Sequence, residues 1–433
     1  MRRIILQEGE KLKESDLSRK GAFNAQAMAS ATAIIEDVRT RGDEALCEYT
    51  AKFDGVEIED FRVSQAAIDE AVAKCDPHVA ECLEHAASQI REFHERQVKQ
   101  SWFEERENGA FVGTKYTPLD SVGIYVPGGR ALYPSSLLMN ALPASVAGVK
   151  RIVCCTPPTK DGSLDPAILK AAQLCGISEI YTVGGSQAIG ALAYGTQTIE
   201  PVCKVTGPGN AFVAAAKKIV SGDCGIDMIA GPSEVCVVAD ESADPMLVAI
   251  DLMAQAEHDP LATCYLVTTS ESYVDRVERW IDKRMQESTR AEITTASLND
   301  HGTVVVCPNM ATALEAVNVI APEHLELDFE GAMNQLGAVR NAGAIFVGEW
   351  TAEAVGDYVA GPNHTLPTGG TARFSSPLSV DDFVKKSSVI CYSAEALASD
   401  ADAVITIAHH EGLWAHAHSV ELRKEIIDGK AQA

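Results

Sequence analysis

The stretch Ser121-Val-Gly-Ile-Tyr125-Val-Pro-Gly-Gly129 marks the point at which strands and helices begin to alternate along the chain. Its apolar residues predict a buried strand, and the Pro-Gly-Gly sequence that follows predicts a tight turn. A helix is predicted next, over residues 135–147. A strand joined to a helix by a short turn is the repeating unit of a parallel β-sheet, so this stretch indicates an α/β fold.

The alternation continues on the C-terminal side of this unit. Strands are predicted at 151–156 and 180–183, and helices at 166–174 and after the glycine turns Gly184-Gly-Ser-Gln187 and Gly207-Pro-Gly-Asn210. The pattern starts again after Gly231, with strands at 235–239, 263–267 and 303–306 and a helix at 245–257. We therefore predict two related, incomplete Rossmann-like parallel-sheet domains, with small helical pieces at the N and C termini.

The length of 433 residues favours more than one domain, because single hydrophobic cores rarely grow so large. Apolar residues recur at helical spacing over about 22–100, and the long segment 79–102 is predicted to be core packing without chemistry. The predicted segments are an N-terminal arm at 1–20, a first α/β domain formed by 21–125 with 235–315, a second formed by 126–234 with 316–380, and a C-terminal helical piece at 381–433.

The charge balance limits the classes of partner. Lysine and arginine number 36 against 61 aspartate and glutamate residues, which gives a formal charge of -25. Nucleic acids and anionic membranes attract basic surfaces, so neither is an expected partner. The N-terminus lacks the apolar core of a signal peptide, and no run approaches the roughly 18 apolar residues of a membrane helix. The 12 cysteines form no Cys-x-x-Cys pair, so we expect reduced thiols and a cytoplasmic location.

A second informative stretch begins with Ala321-Pro-Glu323-His324 and ends in the loop Gly361-Pro-Asn-His364-Thr-Leu-Pro-Thr-Gly-Gly370. A carboxylate beside an imidazole can prime a water and remove a proton near neutral pH. The run 361–370 is predicted to be irregular, because proline removes backbone donors and glycine loosens the chain. Each piece also has a structural explanation, since Pro-Glu-His is a common helix start. Together they favour a functional site.

Two further features each allow a functional and a structural interpretation. The glycine turns could hold a phosphate at a helix N-terminus, but none matches Gly-x-Gly-x-x-Gly, and plain strand-to-helix turns would look the same. Gln255 and His258 stand three apart at the end of a predicted helix, so they share one face. A glutamine ligand to zinc is unusual, and a surface glutamine beside a helix-ending histidine is the simpler explanation.

Three motifs carry a resemblance to a known family: Ala-Gly-Ala-Ile-Phe-Val-Gly-Glu-Trp-Thr at 342–351, Gly-Asp-Tyr at 356–358 and Gly-Pro-Asn-His-Thr-Leu-Pro-Thr at 361–368. They resemble the histidinol dehydrogenases, and matching motifs extend from about Tyr125 to His416. The resemblance implies the last two steps of histidine biosynthesis, in which L-histidinol and two NAD become L-histidine by way of bound L-histidinal. It also implies a homodimer whose active sites take residues from both subunits, with the C-terminal piece exchanged.

The resemblance also implies roles for individual residues. One zinc ion per subunit would be held by Gln255, His258, Asp357 and His416; NAD would contact Tyr125, Gln187 and Asn210; and the substrate would contact Ser233, His324, His364 and Glu411 together with the metal ligands. His324 would accept the alcohol proton, and Glu323 would activate the water that hydrates the aldehyde. The proposed ligands carry one negative charge in total, so the zinc site would remain positive and act as a Lewis acid.

Two other functions are considered. A zinc hydrolase would use Glu323 to prime a metal-bound water, but it would leave the glycine turns without a role. A ligand-binding protein without catalysis would explain neither the Glu323-His324 pair nor the metal ligands. Formation of NADH from histidinol would distinguish the three. Cys154 and Cys155 lie in a predicted buried strand, so we expect no cysteine nucleophile.

Overall fold

Two parallel sheets and one antiparallel sheet order the chain in the computed structural model, which describes residues 1–17, 25–128 and 132–429. These residues form two compact units. The first contains Met1–Gln97 and Leu119–Phe383, and the second contains Val98–Pro118 and Val384–Ala433. None of the described helices is both long and apolar enough to cross a membrane.

The strands and helices alternate over most of the described chain. The strands are β1 (Arg2–Ile5), β2 (Trp102–Glu105), β3 (Phe111–Pro118), β4 (Ser121–Tyr125), β5 (Arg151–Cys155), β6 (Glu179–Tyr181), β7 (Lys204–Thr206), β8 (Gly225–Ile226), β9 (Glu234–Ala239), β10 (Thr263–Thr268), β11 (Thr303–Val306), β12 (His324–Asp328), β13 (Ala344–Val347) and β14 (Val384–Cys391). The helices are α1 (Ala25–Arg41), α2 (Asp43–Phe53), α3 (Gln65–Ala73), α4 (Pro77–Glu95), α5 (Pro134–Ala147), α6 (Pro166–Leu174), α7 (Gly185–Tyr194), α8 (Ala211–Val220), α9 (Pro245–Ala256), α10 (Glu271–Met285), α11 (Ala291–Asp300), α12 (Met310–Ile320), α13 (Glu353–Tyr358), α14 (Ala394–His410) and α15 (Trp414–Ile427).

Local chemistry fixes several helix starts, and those at Pro166 and Pro245 agree with the predicted helices. Asp76, Asp165 and Asp244 each precede a proline at the first helical position, and each side chain accepts a backbone N–H of the first turn. The proline has no N–H to leave unpaired, and the aspartate satisfies a donor that the helix cannot. The predicted bounds of α6 and β11 are confirmed, whereas α4 ends at Glu95 and is shorter than its apolar pattern suggested.

The five-stranded sheet has the order β6-β5-β4-β7-β8, and all of its strands are parallel. Alternate residues of β4 and β5 point to opposite faces. Ile124 and Cys154 belong to the core under α4, α5 and α6. Tyr125 and Cys155 belong to the core under α1, α7 and α8. Both faces are therefore covered, as the sequence predicted.

The six-stranded sheet has the order β1-β11-β10-β9-β12-β13 and is also parallel. Cys236 and Val238 of β9 face a core that includes α12, and Val235 and Val237 face a core that includes α9 and α10. Two parallel sheets of this kind confirm the predicted α/β fold class. The second unit joins β14, β3 and β2 in an antiparallel sheet and adds the α14–α15 pair.

Two predicted terminal pieces need correction. Residues 1–20 were expected to be an arm, but β1 is an edge strand of the six-stranded sheet, and its main chain bonds to Gly302 and Val306 through Arg2 and Leu6. Most of its side chains are exposed, so no apolar pattern in the sequence predicted this strand. The predicted helical piece at 381–433 includes β14, whose side chains are also largely exposed. Residues 18–20 lie outside the described part of the chain.

The predicted pairing of segments into domains also differs from the strand order. Residues 121–125 were grouped with 235–315, but β4 pairs with β5 and β7. Residues 316–380 were grouped with 126–234, but β12 pairs with β9 and β13. The strands of 121–226 therefore form one sheet, and those of 234–347 form the other together with β1, because successive strand–helix units pack beside one another in space.

Candidate active site

Candidate catalytic side chains lie at the amino end of the six-stranded sheet. β12 begins at His324, beside the start of β9 at Glu234. The chain enters β12 directly from Ala321 and Pro322, so Pro-Glu-His begins a strand here and not a helix. Ala321 takes a left-handed conformation, with φ 46°, at the end of α12. This turn places Glu323 and His324 at the amino end of the sheet, where both residues are buried.

The ring of His324 is held in one orientation. Its Nδ1 donates a hydrogen bond to the Glu234 carbonyl at 3.1 Å. Its Nε2 is buried without a hydrogen-bond partner, and Oδ1 of Asp357 lies 3.8 Å away. Burial lowers the pKa of His324, but the surrounding carboxylates, Glu353 most strongly, outweigh it and raise that pKa to about 10. Nε2 is therefore the ring atom left for proton transfer.

Glu323 is a buried carboxyl beside this ring. Its Oε2 accepts the backbone N–H of Glu234 at 2.9 Å and lies 3.9 Å from Nδ1 of His324. Burial raises the pKa of Glu323 to about 8, although His324 and the Glu234 N–H act in the opposite direction. A carboxyl with a raised pKa is a stronger base near neutral pH than an ordinary glutamate.

Three side chains converge next to His324. Ligand atoms of His258, Glu353 and Asp357 all lie within 4.8 Å of one another. Gln255 and His258 come from the end of α9 and the turn after it, and α13 contributes Glu353 and Asp357. Gln255 is fully buried, and its amide faces the Glu353 carboxylate. Burial raises the pKa of Glu353 to about 7.

The irregular run 361–370 was predicted as a loop, and it contains no regular helix or strand. Nδ1 of His364 donates to the Asp357 carbonyl at 2.9 Å. The Gly369 N–H donates to Oε2 of Glu234 at 3.1 Å, and Ser233 directly precedes that glutamate. The loop therefore places His364 beside Asp357, and both the loop and Ser233 border the start of β9.

The predicted NAD-contacting residues line one cavity of about 1,000 Å³. Tyr125 ends β4, Gln187 lies in the first turn of α7, and Asn210 caps α8. The Tyr125 hydroxyl accepts the Gly185 N–H at 3.1 Å. Oε1 of Gln187 is buried without a partner. The cavity thus lies at the carboxyl edge of a parallel sheet, where such folds bind ligands.

At this edge of the sheet, the backbone of Gly207 lies close to that of Tyr125. Gly207 has φ 121°, and a Cβ there would lie 2.0 Å from the Tyr125 carbonyl oxygen. No side chain could occupy that position without moving β4. The first predicted glycine turn includes Gly129, which lies outside the described residues.

The remaining predicted site residues belong to the second unit. Glu411 follows α14, and His416 lies in the first turn of α15. Both residues are exposed within that unit. The nearby Trp414 is also exposed.

Sequence analysis missed the buried acids Glu234, Glu326 and Glu353. Glu326 accepts the Glu353 backbone N–H at 3.0 Å and so holds the start of α13. One signal for Glu353 was available, because Glu353-Ala-Val-Gly-Asp357 places two carboxylates four residues apart. That spacing puts them on one face if the segment is helical. Glu234 begins a strand whose other residues are apolar, and Glu326 lies in the mixed strand His-Leu-Glu-Leu-Asp at 324–328.

Comparison with known proteins gives consistent results. The family model described as histidinol dehydrogenase matches residues 17–424. The histidinol dehydrogenase of Bacillus subtilis (strain 168) is 53% identical over 394 residues, covering 91% of this chain and 92% of that protein. The enzyme of the same name from Clostridium acetobutylicum is 50% identical over 416 residues, with 96% of each chain covered. The crystal structure of histidinol dehydrogenase from Elizabethkingia anophelis superimposes with a TM-score of 0.92, at 36% identity and 99% coverage of both chains.

Proposed function

Because the chain belongs to the histidinol dehydrogenase family, we propose that the cluster around His324 is the centre in which it oxidises L-histidinol. The chain is an oxidoreductase of histidine biosynthesis. One observation carries the assignment of the site: Nε2 of His324 is buried without a hydrogen-bond partner, 3.8 Å from Oδ1 of Asp357, while Nδ1 of the same ring lies 3.9 Å from Oε2 of Glu323. Family membership favours this function over the zinc hydrolase considered from the sequence.

The donor set fits a divalent metal ion, which we propose is zinc. His258 and Asp357 already lie within ligand distance of each other, and Gln255 lies in the helix that leads into His258. Two neutral imidazoles, one amide and one carboxylate leave the ion with a net positive charge. When bound, zinc would supply a Lewis acid for the substrate's nitrogen atoms, and NAD would supply the hydride acceptor.

The cavity at the five-stranded sheet is the proposed NAD site. The buried, unpartnered Oε1 of Gln187 offers a hydrogen-bond acceptor inside it, and the N-termini of α7 and α8 lie at its wall. Helix N-termini attract phosphate groups through their free N–H donors. The geometry therefore supports a dinucleotide even though Gly-x-Gly-x-x-Gly is missing.

His324 is the proposed base for the alcohol proton. The hydrogen bond from Nδ1 to Glu234 fixes the tautomer, so Nε2 is the atom that accepts the proton as the C–H bonding pair leaves as hydride. A cation held by Asp357 would oppose the carboxylates that raise the His324 pKa. The ring would then titrate closer to neutral pH, where it can accept a proton.

Glu323 is the proposed base for the second half of the reaction. A water must add to the aldehyde carbon before a second hydride can leave; the attacking water gives up a proton, and the carbonyl oxygen gains one as the hydrate forms. Glu323 can take that proton because its Oε2 is fixed by the Glu234 N–H and its pKa is raised. The aldehyde hydrate then loses hydride from its carbon and a proton from one hydroxyl, which His324 accepts, and becomes the carboxylic acid.

Substitution of the two bases should separate the two oxidations. In Glu323→Gln we expect histidine formation to fall by about 10²–10⁴-fold, whereas the first hydride transfer changes far less. NADH released per histidinol should fall from two towards one, and histidinal should accumulate. His324→Gln should slow both oxidations, because each releases a proton. Single-turnover absorbance of NADH, started from histidinol and from histidinal, measures both steps.

The matched control is Asp328→Asn, at the other end of β12, which should still release two NADH per histidinol. Equal loss of both oxidations in Glu323→Gln, accompanied by loss of histidinol binding, would identify Glu323 as a structural residue. Absence of NADH formation by the wild-type chain would refute the proposed assignment of the whole site.

A covalent thiol route is not part of this proposal. Cys154 and Cys155 are fully buried in β5, and burial raises the pKa of Cys154 to about 12 and that of Cys155 well above its usual value. Such thiols do not form the reactive thiolate near neutral pH. Each cysteine changed to alanine should keep turnover within about tenfold of wild type, with some loss of packing. A folded but inactive alanine variant would restore a covalent mechanism.

The site is proposed to be completed by a second copy of the chain. Glu411 and His416 are exposed in the second unit, where they are free to meet another subunit. We propose that the partner's copies of these residues contact the substrate and the metal ion. The 12 cysteines are all unpaired, which supports the proposal that the homodimer works in a reducing compartment such as the cytoplasm.

A further inference from the structure

Gln255 is the unusual member of the proposed ligand set, and its amide faces a carboxylate. The residue is 0% exposed, so water cannot replace its protein partners. With its amide nitrogen toward Glu353, it donates to both carboxylate oxygens, at 2.8 Å and 3.2 Å. The opposite orientation would set the amide oxygen against two acceptors. Glu353 therefore determines which end of the amide faces it.

Glu353 is itself held in place. It is 4% exposed and begins α13, where its backbone N–H donates to Oε1 of Glu326 at 3.0 Å. Asp357 stands one turn later in the same short helix, so both carboxylates project from one face. One element thus carries a proposed metal ligand and the group that faces another proposed ligand.

Two roles are open to a carboxylate in this position. Ligand atoms of His258, Glu353 and Asp357 lie within 4.8 Å of one another, so Glu353 could bind the metal directly. Its two oxygens, however, already lie at hydrogen-bond distance from the Gln255 amide. Direct coordination would compete with these bonds and leave a fully buried amide N–H without its acceptor, which is costly.

We propose that Glu353 is a positioning residue, which holds the Gln255 amide nitrogen and so leaves Oε1 as the end available to a metal ion. This inference rests on the metal site proposed above. The hydrogen bond from the amide to a carboxylate also draws electron density toward the carbonyl oxygen, which makes that oxygen a better ligand. A neutral glutamine thereby becomes a competent ligand without adding charge to the site.

The variant Glu353→Gln tests the role with little change in volume. A glutamine at 353 can donate as well as accept, so it no longer selects one orientation of Gln255. We expect the zinc affinity of metal-free protein to fall by about 10–100-fold, measured by competition with a chromophoric chelator. The visible absorption spectrum of the cobalt-substituted variant should match that of cobalt-substituted wild type, because the ligands are the same.

Glu323→Gln is the control, since it replaces another buried carboxyl, one whose oxygen is bonded to the Glu234 N–H whereas the Gln255 amide is bonded to Glu353. Its zinc affinity should stay within about twofold of wild type, even though its oxidation of histidinol is impaired. An unchanged zinc affinity in Glu353→Gln would overturn the inference. A changed cobalt spectrum would overturn it as well, because Glu353 would then be a ligand.

A second variant exchanges the two side chains, combining Gln255→Glu with Glu353→Gln. The carboxylate–amide pair is then restored in reverse, so zinc affinity should return to within about tenfold of wild type. If Glu353→Gln alone does not fold, this exchanged variant still tests whether Glu353 positions the Gln255 amide. Failure of the exchanged pair to bind zinc would overturn the inference. Failure of the wild-type chain to bind zinc would refute the metal site itself.

Discussion

Removal of divalent metal by a chelator is expected to reduce histidinol oxidation by a hundredfold or more. A bound cation contributes several kcal/mol to stabilising charge in a transition state, and about 3 kcal/mol corresponds to this loss. The proposed ligand set makes the effect large, because it leaves the ion with a net positive charge. The measurement is the rate of NADH formation from histidinol before and after chelation, with elemental analysis of each sample.

Zinc added back should restore the rate, because the metal-free site keeps its protein framework. Glu323 and His324 are both bonded to backbone groups of Glu234, so their positions do not depend on the ion. Circular dichroism of the chelated protein should therefore match that of the untreated protein. Full activity in protein that elemental analysis finds free of metal would refute the zinc site.

Two inactive chains should restore activity to each other. We expect Glu323→Gln and His416→Asn homodimers each to lose nearly all histidine formation. In a mixed dimer, one site would collect both substitutions and the other would collect neither. Random exchange makes half of the dimers mixed, so about a quarter of wild-type activity should return. Histidine formation is measured after subunit exchange of equal amounts of the two variants.

The control mixes Glu323→Gln chains with His324→Gln chains. These two positions lie in the same unit of the chain. Every mixed dimer of these variants has a lesion at both sites, so no activity should return. Subunit exchange is verified separately, with differently tagged chains recovered in one complex. Verified exchange without recovery in the Glu323 and His416 pair would show that each chain completes its own site.

The sequence predicted the parts of the fold in which local chemistry and burial agree. Asp244-Pro245 predicted the start of α9. The apolar run at 235–239 predicted β9, which is buried on both faces. β1 and β14 were missed for a common reason. Their side chains are largely exposed, so these strands are held in place by main-chain pairing with strands distant in the sequence. Such pairing leaves no alternation of apolar residues from which a strand could be predicted.

The candidate site was predictable only in part. Glu323-His324 stood out because both groups are adjacent and chemically active. Their place at the start of a strand was not predictable, since Pro-Glu-His begins helices as readily. Glu353 had only its spacing from Asp357 as a signal, and that spacing does not indicate its inferred function, which depends on an amide almost a hundred residues earlier in the chain. Such pairings are set by the packing of α9 against the sheet, which local sequence does not encode.

The edge strand β1 has a consequence for how the chain folds as it is made. Its partner, β11, is synthesised about three hundred residues later, which corresponds to roughly 15–60 s of translation. The five-stranded sheet needs only residues 121–226 and their helices, so it can assemble during this interval. Arg2 and Arg3 keep the waiting strand charged and solvated, which disfavours pairing with other nascent chains. The six-stranded sheet is therefore completed late, because β1 pairs with a strand that is made about three hundred residues after it.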